Sequence, residues 1–189
     1  GNSGDITITN NFGGNIVTSG ENGIGVFALA IGGGGGDIGS NRDSLSLGAS
    51  GGNGGSAGNI TLTNRGNITT LGTGSYGVVA NSIGGGGGRA TANINEGTIS
   101  LGGSGGSGGS SGTVTLRNEG NILTFGSSSI PVYLNSVGGG GGDAQAGFGD
   151  AILGSNGATG ASGRTFLINT GTLQSNSEFS PAILSLIHI

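Results

Sequence analysis

The sequence predicts an all-β chain wound as a parallel β-solenoid, with about two coils in each repeat. Three observations predict it. A unit of about 54 residues recurs along the 189-residue chain. Within the first segment of that unit, apolar side chains alternate with Thr or Asn, the period of two expected of a strand with one buried face. No stretch spaces its apolar residues as a helix does, and the 50 glycines would each cost roughly 1 kcal/mol inside one. Glycine this abundant reads as low complexity when it has no period, and as architecture when it has one.

The first segment of the repeat is Gly4-Asp5-Ile6-Thr7-Ile8-Thr9-Asn10, which returns as Gly58 to Asn64, as Gly112 to Asn118 and, more weakly, as Gly163 to Asn169. A sharp corner follows, Asn64-Arg65-Gly66, Asn118-Glu119-Gly120 or Asn169-Thr170-Gly171, built from residues that accept positive φ. The first copy, Asn10-Asn11-Phe12-Gly13-Gly14, reads as a bulged corner with one extra residue. Next comes a second short strand, as in Asn15 to Thr18 or Asn67 to Thr70. The third segment is apolar on both parities: Phe27, Val79 and Tyr133 on one, Val26, Val78 and Val132 on the other. Its inward side is therefore open.

Each third segment runs into five glycines, Gly32 to Gly36, Gly84 to Gly88 and Gly138 to Gly142. Their constant length reads as a turn of fixed geometry, recent duplication being the other explanation. Further strand follows, Asp43 to Gly48 and Gly97 to Gly102, and this is what raises the count to two coils per repeat. On that count equivalent residues of successive repeats stand about 10 Å apart and the chain spans about 30 to 35 Å. Ile6, Ile60 and Val114 then form one inward column, and Ile8, Leu62 and Leu116 another, so that a chain only 32% hydrophobic still buries a continuous core.

Composition excludes several functions. Cys, Met and Trp are absent, so no disulfide, thiolate metal site or cysteine nucleophile exists. The net charge is −4 and the basic residues are five scattered Arg, which leaves no basic face for nucleic acid. A Ser-His-Asp arrangement would need His188, the penultimate residue. The P-loop needs a Lys, and there is none. Gly147-Phe148-Gly149-Asp150 matches a calcium-binding nonapeptide only superficially, since that pattern needs an Asp in every turn.

Polysaccharide-degrading enzymes are the serious catalytic alternative, because they use the same architecture. Glycoside hydrolysis needs two carboxylates within about 5 to 10 Å. Asp37, Arg89 and Asp143 each follow a glycine run and should stand in one line, with the two Asp about 20 Å apart on a two-coil count. Asp5, Glu21, Asp43, Glu96, Glu119, Asp150 and Glu178 show no clustering in the repeat frame. A lesser alternative is an ice- or surface-binding solenoid using Thr7/Thr9 and Thr61/Thr63, although the next copy reads Thr115/Arg117. No catalytic, cofactor-binding or metal residue is assigned.

The unit Ile60-Thr61-Leu62-Thr63-Asn64, then Gly66-Asn67-Ile68, then an apolar strand ending Asn81-Ser82-Ile83 and five glycines, resembles the repeats in passenger regions of bacterial autotransporter proteins. The likeness covers Gly4 to about Leu184. It implies a right-handed β-helix, export of an unfolded passenger through a C-terminal outer-membrane β-barrel translocator, and display at the bacterial cell surface or release from it. It further implies a stalk or adhesive surface rather than a catalyst. The outward Thr, Ser and Asn suit weak multivalent contacts with glycans, host surfaces or copies of the same protein. With no signal peptide, initiating Met or barrel in the sequence, an internal fragment is expected. Residues 1–184 form one repeat domain, with repeats at about 4–57, 58–111 and 112–184. Residues 185–189 form an atypical tail. It reads as a cap or final strand, or, the favoured reading, as residues foreign to the native protein.

Overall fold

The computed structural model describes residues 1–41, 45–47, 51–93, 98–101, 104–146, 150–152, 156–176 and 180–188. The first segments pair as one parallel sheet in the order β1 (Ile6–Asn10), β6 (Ile60–Asn64), β11 (Val114–Asn118) and β16 (Thr165–Asn169). The second segments form another: β2 (Asn15–Thr18), β7 (Asn67–Thr70), β12 (Asn121–Thr124) and β17 (Thr172–Ser175). The third is β3 (Ile24–Ile31), β8 (Tyr76–Ile83), β13 (Ile130–Val137) and β18 (Ile183–His188). The fold is a parallel β-solenoid.

The coil count is corrected by the register. Ile6 lies beside Ile60 and Ile60 beside Val114, so equivalent residues of successive repeats are hydrogen-bonded neighbours. Each repeat is therefore one coil. At about 4.8 Å per coil, the first and fourth strands of a sheet are only about 14 Å apart, not 30 to 35 Å. The extra strands that suggested a second coil are short: β4 (Ile38–Asn41), β9 (Ala90–Asn93) and β14 (Ala144–Ala146) pair in one sheet, and β5 (Leu45–Leu47), β10 (Thr98–Leu101) and β15 (Asp150–Ile152) in another. They extend the same coil outward and return.

The three longer sheets enclose the core. Ile60, Leu62, Ile68, Val78, Val114, Leu116, Ile122, Val132 and Leu134 are buried there. The open parity of the third segment resolves with Val26, Val78 and Val132 inward, continued by Ala28, Ala80 and Leu134, while Phe27 points out and is 51% exposed. The bulged first corner holds two extra residues rather than one, because Asn10 pairs with Asn64 but Asn15 pairs with Asn67. Gly13, at φ +76°, supplies the left-handed residue it needs. Residues 185–188, set apart in the sequence as a tail, continue β18, with Ser185 beside Leu134 and His188 beside Val137.

The glycine runs are not turns. Gly32 to Gly36, Gly84 to Gly88 and Gly138 to Gly142 lie parallel as one layer, in which Gly32 N–H donates to the Ile83 carbonyl and Gly35 N–H to that of Gly86. A second layer, formed by residues 51–58, 104–112 and 156–163, packs directly against it. Between the layers runs a zigzag of backbone bonds: Gly139 N–H donates to Gly109, Gly109 to Gly85, Gly85 to Gly55 and Gly55 to Gly33, at 2.7 to 2.9 Å. Gly142, Gly106, Gly88, Gly52 and Gly36 are linked in the same sequence.

The repeat along these layers is three residues, the period of an extended polyproline II-type chain rather than of a strand. A Cβ at Gly84 or Gly87 would overlap a carbonyl of the facing layer, and one at Gly85 or Gly88 would overlap a carbonyl of the coil before. The middle residue faces out, and a Cβ at Gly86 would meet nothing nearer than 3.9 Å. In the second layer the outward third position is polar. Asn53 Oδ1 there accepts from the Ser107 N–H at 2.9 Å and Ser56 Oγ from the Ser110 N–H at 3.3 Å.

Two predictions follow from packing. Gly85→Ala or Gly109→Ala should destabilise the chain by about 3 kcal/mol or more, since the obstruction is backbone that cannot yield. Gly86→Ala should instead be neutral or stabilising by about 0.5 kcal/mol, through the unfolded chain. Thermal melts followed by circular dichroism distinguish them; equal losses at both positions would refute the layered packing. In the core, Thr70 and Thr124 are stacked, fully buried, and each has a hydroxyl oxygen without a hydrogen-bond partner. Thr70→Val and Thr124→Val should each raise stability by about 1 kcal/mol in the same melts.

Candidate functional site

Polar side chains here mostly serve the stack. Asn10 Nδ2 donates to Asn64 Oδ1 at 2.8 Å, Asn64 to Asn118 at 2.7 Å and Asn118 to Asn169 at 2.7 Å. Each amide of Asn64, Asn118 and Asn169 also bonds the carbonyl of the glycine two residues on, which fixes the corner. A serine column acts similarly before the third strand, where Ser129 Oγ accepts from the Ser75 N–H and donates to the Gly72 carbonyl. Ser82 Oγ donates to the Gly58 carbonyl and accepts from the Gly112 N–H, tying the third sheet to the end of the glycine layer. Within the middle coils these groups are taken up by the stack.

Two charged groupings exist. Asp37, Arg89 and Asp143 stand in the expected column, with Asp37 Oδ1 accepting from the Arg89 N–H at 2.7 Å and Arg89 Nη2 3.7 Å from Asp143 Oδ2. With one coil per repeat, the carboxylates are two coils apart, about 10 Å rather than 20 Å. Distance alone thus no longer excludes them as a catalytic pair. Arg89 lies between them on an exposed surface, with its guanidinium half-exposed and paired to Asp143. A hydrolytic acid works in a dry setting, and this column is exposed.

The second grouping is not apparent from the sequence, in which Glu119 shows no clustering in the repeat frame. Glu119 Oε2 accepts from Arg65 Nε at 3.1 Å and Oε1 accepts from Arg117 Nε. The Arg117 hydrogen bond, with the Arg65 bond adding to it against an opposing effect of partial burial, lowers the Glu119 pKa from its ordinary value. An i to i+54 spacing read as one coil would have placed Arg65 directly beside Glu119.

The outward faces differ in character. On the first sheet Thr7, Thr61 and Thr115 align, but Thr9 and Thr63 give way to Arg117, and the fourth coil presents Phe166 and Ile168. The two-column threonine plane therefore spans two coils. The third sheet carries an open apolar hollow of about 280 Å³ lined by Ile24, Tyr76, Val79 and Tyr133. The tyrosine rings meet edge to face at 6.2 Å. His188 pairs through its backbone with Val137, and Gly147 to Gly149 lie outside the described residues. No group of three or more His, Cys, Asp or Glu that could hold a metal is found among the described residues.

The site and fold together define a repetitive parallel β-solenoid with a side-chain-filled core on one side and a glycine double layer on the other. Comparison with family models, curated proteins and solved structures finds no match to this chain.

The Glu119 cluster makes a pH-dependent prediction. Because the folded-state pKa is lowered, its contribution to stability is present above the ordinary carboxylate range and is lost as pH falls through the folded value. Wild type should therefore melt higher than Glu119→Gln near neutral pH, and the gap should close on acidification. A gap independent of pH would show that the carboxylate charge is not involved.

Proposed function

We propose that this chain is a non-catalytic structural segment of a surface-displayed autotransporter passenger, serving as a stalk or adhesive surface. The observation that carries the reading is the translational reuse of the same polar residues, in the Asn10-Asn64-Asn118-Asn169 ladder above all. Such a chain commits many of its hydrogen-bonding side chains to neighbouring coils and presents outward Thr and Asn between them. Binding on that surface is weak per contact and gains from repetition. The resemblance of the Ile-Thr-Leu-Thr-Asn unit and five-glycine runs to autotransporter passenger repeats supports the same reading. A barrel translocator and glycan or host-surface ligands are the partners it entails.

The test is display. The segment, epitope-tagged and fused ahead of an outer-membrane translocator barrel, should reach the surface of intact bacteria and be released by added protease. Retention inside the cell, with the barrel itself correctly inserted, would count against a passenger role. The polysaccharide-degrading alternative keeps one point of support, the Asp37 to Asp143 separation of about 10 Å. Release of reducing or unsaturated sugar ends by this chain, abolished in Asp37→Asn or Asp143→Asn, would replace the structural reading.

A further inference from the structure

The sequence holds two tyrosines and no Cys, Met or Trp, so the side chains that a one-electron oxidant attacks most readily are reduced to that pair. They are far apart in the chain, Tyr76 on β8 and Tyr133 on β13. The one-coil register brings them together. Tyr76 pairs with Ile130 and Val79 with Tyr133, so the two tyrosines sit on neighbouring strands of the third sheet, offset by three residues. Both line the open hollow of about 280 Å³, and their rings meet with centroids 6.2 Å apart.

An edge-to-face contact is by itself ordinary aromatic packing. Its surroundings give it a chemical consequence. In the register Tyr76 has Ile24 and Ile130 beside it, and Tyr133 has Val79 and Leu184. All four are aliphatic and yield neither an electron nor a hydrogen atom readily. A radical formed on one ring therefore has the other ring as its reactive neighbour. The hollow is open, so a small oxidant reaches the pair from solvent, and it leaves the rings room to turn about their side-chain torsions into bonding distance.

We propose that Tyr76 and Tyr133 are a site of oxidative modification, coupled within one chain as dityrosine by a peroxidase-type oxidant, so that a covalent staple joins the second and third coils. Each phenol gives up one electron and its hydroxyl proton. Hydrogen peroxide, acting through the peroxidase, takes up the two electrons and two protons and leaves as two water molecules. The two phenoxyl radicals join through ring carbons ortho to the oxygens, and the hydrogens on those carbons move to the oxygens and restore both phenols. One carbon–carbon bond is made and the chain loses two hydrogen atoms.

Treating the purified 189-residue chain, at high dilution, with hydrogen peroxide and a haem peroxidase tests it. The product should be a single chain, lighter by two hydrogens, that shows dityrosine fluorescence. Trypsin, which cleaves after Arg, should then release residues 66–89 joined to residues 118–164, the fragments that carry Tyr76 and Tyr133. Because the staple closes a long loop, the melt should rise by about 10 °C on oxidation. Tyr76→Phe and Tyr133→Phe should show neither the joined fragments nor the rise. In denaturing urea, where the register is lost, the yield of the single-chain product should fall at least tenfold. Should either Phe variant fail to fold, the urea comparison decides. Equal yield in urea overturns the proposal, since the fold would not be directing the coupling. So does a product joined only between chains, oxidation that leaves no dityrosine, or a cross-link that leaves the melt unchanged. None of these results bears on whether the chain is an exported passenger.

Discussion

A carbonyl oxygen one coil away stands where a Cβ would have to be at Gly85, Gly88, Gly106 and Gly109, and the rest of the fold depends on that approach. Strand pairing sets the coil spacing at about 4.8 Å. At that spacing two backbone layers can interlock without side chains only if each chain offers its N–H and C=O groups in several directions. A period of three does this, one residue bonding within the layer, the next across it and the third facing water. Backbone polar groups are thereby satisfied with no apolar side chain to shield them. The double layer is held by hydrogen bonds, each worth a net 0.5 to 1.5 kcal/mol or so, against the large conformational entropy that glycine loses on ordering.

Such a layer could not specify its own register, since every glycine resembles the next. The three longer sheets supply that. Ile60, Leu62, Val114 and Leu116 face inward because one-residue slips would carry them to solvent. The Asn64 and Asn118 amides, both buried, bond each other across one coil, so they reinforce the register at the corner. Ser82 and Ser136 then carry it to the glycine layer through bonds to Gly58 and Gly112. The glycines in turn close the coil on a side where too few apolar residues exist to build a second core.

This division of labour explains why the described residues gather no concentrated cluster of reactive groups. The corner asparagines and the serines beside the glycine layer bond along the stack, and Glu119 pairs with Arg65 and Arg117. What remains for recognition is extended surface: a threonine column on one face, and an apolar hollow with two tyrosines on another.

The first strand of each repeat was legible because a period of two survives translation from sequence to sheet, and the Ile6-Ile60-Val114 column was placed correctly from it. The corners were legible for a similar local reason, in their Asn and Gly. The number of coils per repeat was not, because a repeat length states how often the pattern returns and says nothing of how many times the chain circles meanwhile. The glycine layers were misread as turns since glycine has no side chain to show a period. Without the coil count nothing in the sequence sets Glu119 beside Arg65, and the inward face of the third strand is open because Val78 and Val79 are equally apolar. By itself, then, the sequence determined strand, corner and repeat, properties set by each residue's own side chain and dihedral preferences. Only the tertiary structure decided one coil per repeat and the glycine double layer, because both arise from backbone hydrogen bonds between residues tens of positions apart.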